Sequence, residues 1–142
     1  MIRIIMLMML VSCNFKQIKS EIGCYEDDII KEETGRISYY EYSCNRCRKT
    51  GSGDIYDHNG YTIAYYDPNE PKRKYYGCHA MVINLNTCDT VYVKINDSGM
   101  FREGKYSKKN IIVDASPKVF ESLGFTKRQG IGNNIKIVIW KH

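Results

Sequence analysis

A chain of 142 residues is the size of one ordinary domain and has no room for two full-sized ones. Hydrophobic residues make up 43% and charged residues 26%, which excludes a disordered chain, and the abundance of Tyr (12) and Gly (11) favours a small β-rich domain. The net charge of +5 suits an anionic polymer or surface but is too mild to point to nucleic acid.

The first segment reads as an export signal. Arg3 is the only charge before Lys16, and Ile4 to Val11 is an apolar stretch too short to span a bilayer. Leu10-Val11-Ser12-Cys13 has the form of a bacterial lipobox, in which Cys13 would carry the lipid. Plain cleavage nearby, giving a freely secreted protein, stays open beside it. Either route places the domain outside the cytosol, as an outer-membrane lipoprotein or a secreted protein. Residues 14–34 carry Glu21, Glu26, Asp27, Asp28, Glu32 and Glu33 against few bases and read as an acidic, solvated linker. The folded part is expected from Gly35 to the end, as one domain over 35–142.

Ile37 to Tyr42 reads as the first strand, and the Gly- and Asp-rich residues 43–60 read as a long functional loop. Tyr61 to Tyr66 is a second apolar segment. His79–Leu85 and Thr90–Asn96 are strong strands joined by Asn86-Thr87-Cys88-Asp89, a hairpin signal. Alternation puts Val91, Val93 and Ile95 on one face of the second of these. A basic loop over 102–110 precedes a short strand, Ile111–Val113. Ser116 and Pro117 open a helix that runs to Leu123, and Ile135–Trp140 alternates as the last strand. Six cysteines in an exported chain imply disulfides. With Cys13 lipidated and Cys24 left over in the linker, Cys44, Cys47, Cys78 and Cys88 are the candidates, with their connectivity open. Redox chemistry or half of a zinc site at Cys44-Asn45-Arg46-Cys47 are the weaker readings; no metal site is expected.

Val93-Lys94-Ile95-Asn96-Asp97-Ser98-Gly99-Met100-Phe101 resembles the V-x-I-N-D-R-G-P-F segment of the rare lipoprotein A (RlpA-like) family. Ile111 to Ser116 with Phe120 to Gly124 is similar to that family's R-I-I-D-L-S … A-x-x-L-G. Gly35 to Tyr40 is similar to its G-x-A-S-W-Y, and Thr50 to Asp57 to its T-A-N-G-E-x-F-D. The likeness covers residues 35–140. It implies a mainly β fold, a six-stranded double-psi β-barrel with one short helix at about 117–123, shared more distantly with expansins and barwin-like proteins. Some family members are lytic transglycosylases acting on peptidoglycan, and others have no shown activity.

Cleaving a glycosidic bond needs a carboxylic acid to protonate the leaving oxygen, and a lytic transglycosylase can use the sugar's own hydroxyl as nucleophile. Asp97, which ends a strand and opens a glycine turn, is the first candidate, and the resemblance places a catalytic aspartate there. Asp57 aligns with a second acidic residue of the family, and Asp54 stands where the family has Glu. Asp114 also has a family counterpart but reads as a turn and helix-start residue. Tyr65 replaces the family's site histidine and Ser98 its arginine; with Tyr40 they form the expected substrate-binding set, with His58 and His79 as weaker compensating groups. Paired tyrosines such as Tyr39 and Tyr40 offer sugar-stacking rings. The expected function is therefore an exported, cell-wall-acting protein, a peptidoglycan lytic transglycosylase working by acid/base catalysis without a cofactor. The alternatives are a non-catalytic wall-binding or expansin-like loosening module and a disulfide-stabilised barwin-like secreted protein. The partner is a cell-wall polysaccharide, with no nucleic acid, and with membrane contact only through a lipid on Cys13.

Overall fold

The computed structural model describes residues 28–99 and 109–141. The expected export signal with Cys13, most of the expected acidic linker, Cys24 and much of the basic loop lie outside the described residues. Six strands and one helix follow in order: β1 (Ile29–Tyr39), β2 (Thr62–Ala64), β3 (His79–Asn84), β4 (Thr90–Asp97), β5 (Ile111–Ala115), α1 (Pro117–Ser122) and β6 (Ile131–Trp140). The strands close into a barrel in the order β1-β5-β2-β4-β3-β6. Two of the pairings, β1 with β5 and β2 with β4, are parallel, and the rest are antiparallel.

The inner face is apolar because the alternation in the sequence puts it there. Val91, Val93 and Ile95 of β4 and Ile135, Ile137 and Ile139 of β6 are buried, as are Ala80 and Val82 of β3. Each such residue contributes roughly 1.5–3 kcal/mol of burial. Phe120, Val119 and Leu123 seal one end from α1. The helix starts where the sequence places it: the Ser116 hydroxyl accepts from the Val119 N–H, and Pro117 sits in the first turn. That hydroxyl also donates to the Gly60 carbonyl at 2.5 Å, which ties the helix start to the loop before β2. Asn84 donates to the Leu123 carbonyl at 2.9 Å and ties the helix end to β3. At Gly132 a Cβ would meet the Phe125 ring at 2.7 Å, so a side chain there would displace the ring.

The first strand begins at Ile29 rather than at Ile37, ahead of the expected start of the folded part at Gly35, and ends at Tyr39 rather than at Tyr42. Residues 29–35 pair antiparallel with β6, from Trp140 to Ile135. The acidic residues that suggested a solvated linker have partners: Glu32 meets Lys136 at 2.9 Å, and Glu33 accepts from the Tyr65 hydroxyl at 2.9 Å. The cysteines also differ from expectation. Cys44 and Cys47 are bonded to each other, closing a tight loop, and Cys88 is disulfide-bonded, but Cys78 is a free, half-buried thiol beside the core. It packs against the core, where burial pushes the thiol pKa up.

Candidate active site

The barrel order places β2 between β4 and β5, and one small residue of β2 has an aspartate on each side. Ala64 is the register partner of Asp97 on β4 and of Asp114 on β5. Two strand spacings put those two backbones about 10 Å apart. Asp114 is also the register partner of Ser38 on β1, whose hydroxyl donates to the Asp114 carboxyl at 2.8 Å. Asp114 lies inside β5, two residues before the helix cap, rather than in a turn, and the Asp97 charge acts on its carboxyl.

The environments of the two carboxyls differ. Burial, reinforced by the Asp97 charge and opposed by the Ser38 hydrogen bond, pushes the Asp114 pKa up to about 6. Asp97 sits at the open end of β4. Its Oδ1 accepts from the Ser98 N–H at 2.8 Å and lies 3.5 Å from the Gly99 N–H, and its carbonyl accepts from the Tyr65 N–H at 2.9 Å. The turn carries Gly99 at φ 58°, a backbone region that glycine enters without strain.

A loop and a ring close in around Asp97. The Ser52 N–H donates to the Asn96 carbonyl at 2.9 Å, and the Thr50 N–H donates to the Asp54 carbonyl at 2.8 Å. These bonds dock the 50–54 turn on β4, with Gly51 against the carboxylate. A Cβ on Gly51 would lie 2.9 Å from Asp97 Oδ1 and 2.2 Å from the Tyr76 hydroxyl oxygen. Tyr76 in turn shares a hydrogen bond with the Ser98 hydroxyl at 3.0 Å. Tyr40, just beyond β1, packs against Ala64. Its buried hydroxyl has no hydrogen-bond partner, and burial with the nearby Asp97 and Asp114 charges strongly disfavours its ionisation. The ring rests on Tyr56, with centroids 4.9 Å apart, and Tyr56 donates its hydroxyl to the Tyr40 carbonyl at 2.7 Å.

Of the residues expected at the site, Asp97, Ser98 and Tyr40 come together. Tyr65 does not join them: its ring is fully buried in the core, edge-on to Tyr75, and its hydroxyl points to Glu33. Asp54 is an exposed ion pair with Lys94 at 2.9 Å, chiefly the hydrogen bond that holds its carboxyl below the usual range. Asp57 organises the loop. It accepts from the Asn59 N–H at 2.9 Å and meets Arg46 at 3.1 Å, and these bonds hold its pKa low. His58 stands edge-on to Tyr56 with its Nε2 buried and without a partner, and His79 lies on the outer face of β3. Ser38 and Gly51 are neighbours of the two aspartates that sequence reasoning did not single out, while in the sequence Tyr76 reads only as one of several sugar-stacking tyrosines and Asp114 as a turn residue. The motif likeness around Asp114 was the available signal.

No protein-family profile matches the chain. The endolytic peptidoglycan transglycosylase RlpA of Haemophilus influenzae is 34% identical over 103 residues, which cover 72% of this chain and 30% of that protein. The chain thus spans less than a third of that relative's length. Among solved structures, a mutant expansin of Clavibacter michiganensis in complex with cellohexaose superposes with a TM-score of 0.57 at 19% identity, over 78% of this chain and 51% of that one. The Streptomyces papain inhibitor does so with a TM-score of 0.53 at 17% identity, over 80% of this chain and 97% of that one. The closed six-stranded barrel with one short helix is the double-psi β-barrel that the resemblance implied.

Proposed function

We propose that this homologue of rare lipoprotein A is an exported, cell-wall-acting barrel that cleaves peptidoglycan glycan strands as a lytic transglycosylase. The observation that carries the reading is the carboxyl pair flanking Ala64, in which burial raises the Asp114 pKa to about 6, keeping a protonated fraction well above the ordinary aspartate range, while Asp97 lies at the open rim. Asp114 gives its proton to the glycosidic oxygen, and the C1–O bond breaks. The sugar's own primary hydroxyl closes on C1 and passes its proton to the Asp97 carboxylate. Exchange between the two carboxyls returns the pair to its starting state, and no water is consumed. The Tyr40 hydroxyl is buried near both aspartates, and its ionisation is disfavoured, so it stays neutral through these steps. Asp54 and Asp57 support the loop that positions Gly51 and take no part in proton transfer.

The test is mass spectrometry of soluble products released from peptidoglycan sacculi by the full chain, by Asp97→Asn and by Asp114→Asn. Release of anhydro-muropeptides that both variants lose is the expected result. Absence of release, with the protein pelleting with the sacculi, would replace the reading with a wall-binding or expansin-like loosening module. The expansin-type fold keeps that second reading in view.

A further inference from the structure

A second, separate surface lies on the outer side of the barrel. Alternation along β4 turns Tyr92 and Lys94 outward, while Val91, Val93 and Ile95 face the core. Lys94, His79 and Trp140 are register partners across β4, β3 and β6 and so form one row. Tyr92 stands two residues further back on β4, edge-on to Trp140 with ring centroids 6.5 Å apart. Tyr61 flanks the row just before β2, where its carbonyl accepts from the Lys94 N–H at 3.0 Å. Tyr61 and Tyr92 are 49% and 46% exposed, among the few large apolar side chains left at the surface of the described residues. Two adjoining cavities of about 340 and 380 Å³ open on these rings, with His79, Lys94, Thr90 and Ser122 supplying polar atoms at their walls.

We infer that this groove binds pyranose chains, as a glycan site distinct from the carboxyl pair. Half-exposed rings beside hydroxyl and imidazole groups match a sugar, which has apolar C–H faces and a polar edge. The lining has no unpaired lysine, since Lys94 pairs with Asp54 at 2.9 Å, which suits a neutral ligand. The groove shares no lining residue with the carboxyl pair but neighbours it in the fold. The Lys94–Asp54 pair links it to the 50–54 turn that carries Gly51 against Asp97, and Tyr92 lies five residues, about 16 Å, up the same strand. Holding a glycan there needs neither aspartate.

The test is isothermal titration of the full chain with cellohexaose and with the N-acetylglucosamine hexamer, alongside Tyr61→Ala, Tyr92→Ala and the double variant Asp97→Asn/Asp114→Asn. Binding of at least one hexamer, weakened about tenfold or more by each tyrosine variant and kept by the double aspartate variant, is the expected result. The two sugars separate a plain pyranose ligand from an N-acetylated one. Because Tyr61 and Tyr92 are surface residues, unchanged melting of both variants keeps any loss attributable to the groove. No binding of either hexamer, or wild-type binding by Tyr92→Ala, would overturn the inference. So would a self-association that Tyr92→Ala abolishes while sugar binding is absent. If binding survives in the double aspartate variant but no wild-type product is released, the catalytic reading fails and the groove stands.

Discussion

Replacing Asp114 by Asn separates the energetic burden of this residue from its chemistry. Asn keeps the shape and can still accept from the Ser38 hydroxyl, which donates to the carboxyl at 2.8 Å. What it removes is the ionisable group that burial and Asp97 hold at a pKa of about 6, against 3.8 for an ordinary aspartate. An acid whose pKa rises on folding favours the folded state fully below the unfolded value, and that contribution is lost as pH rises through the folded value. The shift is about two units, which corresponds to about 3 kcal/mol as an upper figure. At pH 3.5 the wild type and Asp114→Asn should therefore differ by a small amount set by the amide alone. Between pH 4 and 7 the wild type should lose stability relative to the variant, until Asp114→Asn is favoured by up to about 3 kcal/mol, or about 10 °C in Tm. Denaturant titrations of both proteins from pH 3.5 to 8 measure this difference directly. A difference that stays constant with pH would refute the claim that Asp114 is held protonated, and with it the proposed acid.

Asp97→Asn should lower the Asp114 pKa, because the Asp97 charge is one cause of its elevation; a carbon-13 NMR titration of the Asp114 carboxyl reads this. Gly51→Ala should reduce product release by on the order of a hundredfold, since the new methyl must push Asp97 or Tyr76 by about 1 Å, while circular dichroism shows an intact fold. Ser116→Ala removes the helix cap and should cost about 1 kcal/mol, or about 4 °C in Tm by calorimetry, through helix start and loop together. Tyr65→Phe loses the hydrogen bond to Glu33 and should lower stability by about 1 kcal/mol in urea unfolding, with product release from sacculi unchanged.

The alternating segments of β3, β4 and β6 were legible because one face of each is buried, and the hairpin between β3 and β4 was legible from its turn. The start of β1 was not. Glu32 and Glu33 look solvated in sequence, and only the barrel brings Lys136 and Tyr65 to them from about a hundred and about thirty residues away. The same limit hid the site. Asp97 could be read from its strand end and glycine turn. Asp114 is flagged by the motif likeness but weighed down by its local context, since an acid shortly before Ser-Pro also marks a helix start. Its role depends on β5 lying beside both β1 and β2, a pairing set by topology. Tyr65 failed in the opposite direction: standing where a family histidine acts, it has the size and apolar body to complete the core.

That Asp114 bears a burial penalty is itself an argument about what the cleft is for. Among the described residues the other acids with lowered pKa values each have a cation or backbone donors: Asp54 has Lys94, Asp67 has Lys31, Glu41 has Lys127, and Asp57 has Arg46 and the Asn59 N–H. Asp114 has a single neutral hydroxyl and a second negative charge nearby, with an unpartnered tyrosine hydroxyl at its side. An amide at this position would keep the hydrogen bond and escape the penalty. A structural role alone gives no physical reason for the carboxyl, whereas burial and like charge together are what the proposed proton donor would need. The stability recovered in Asp114→Asn and the product release lost in it are therefore two readouts of one cause, and they should be observed in the same variant.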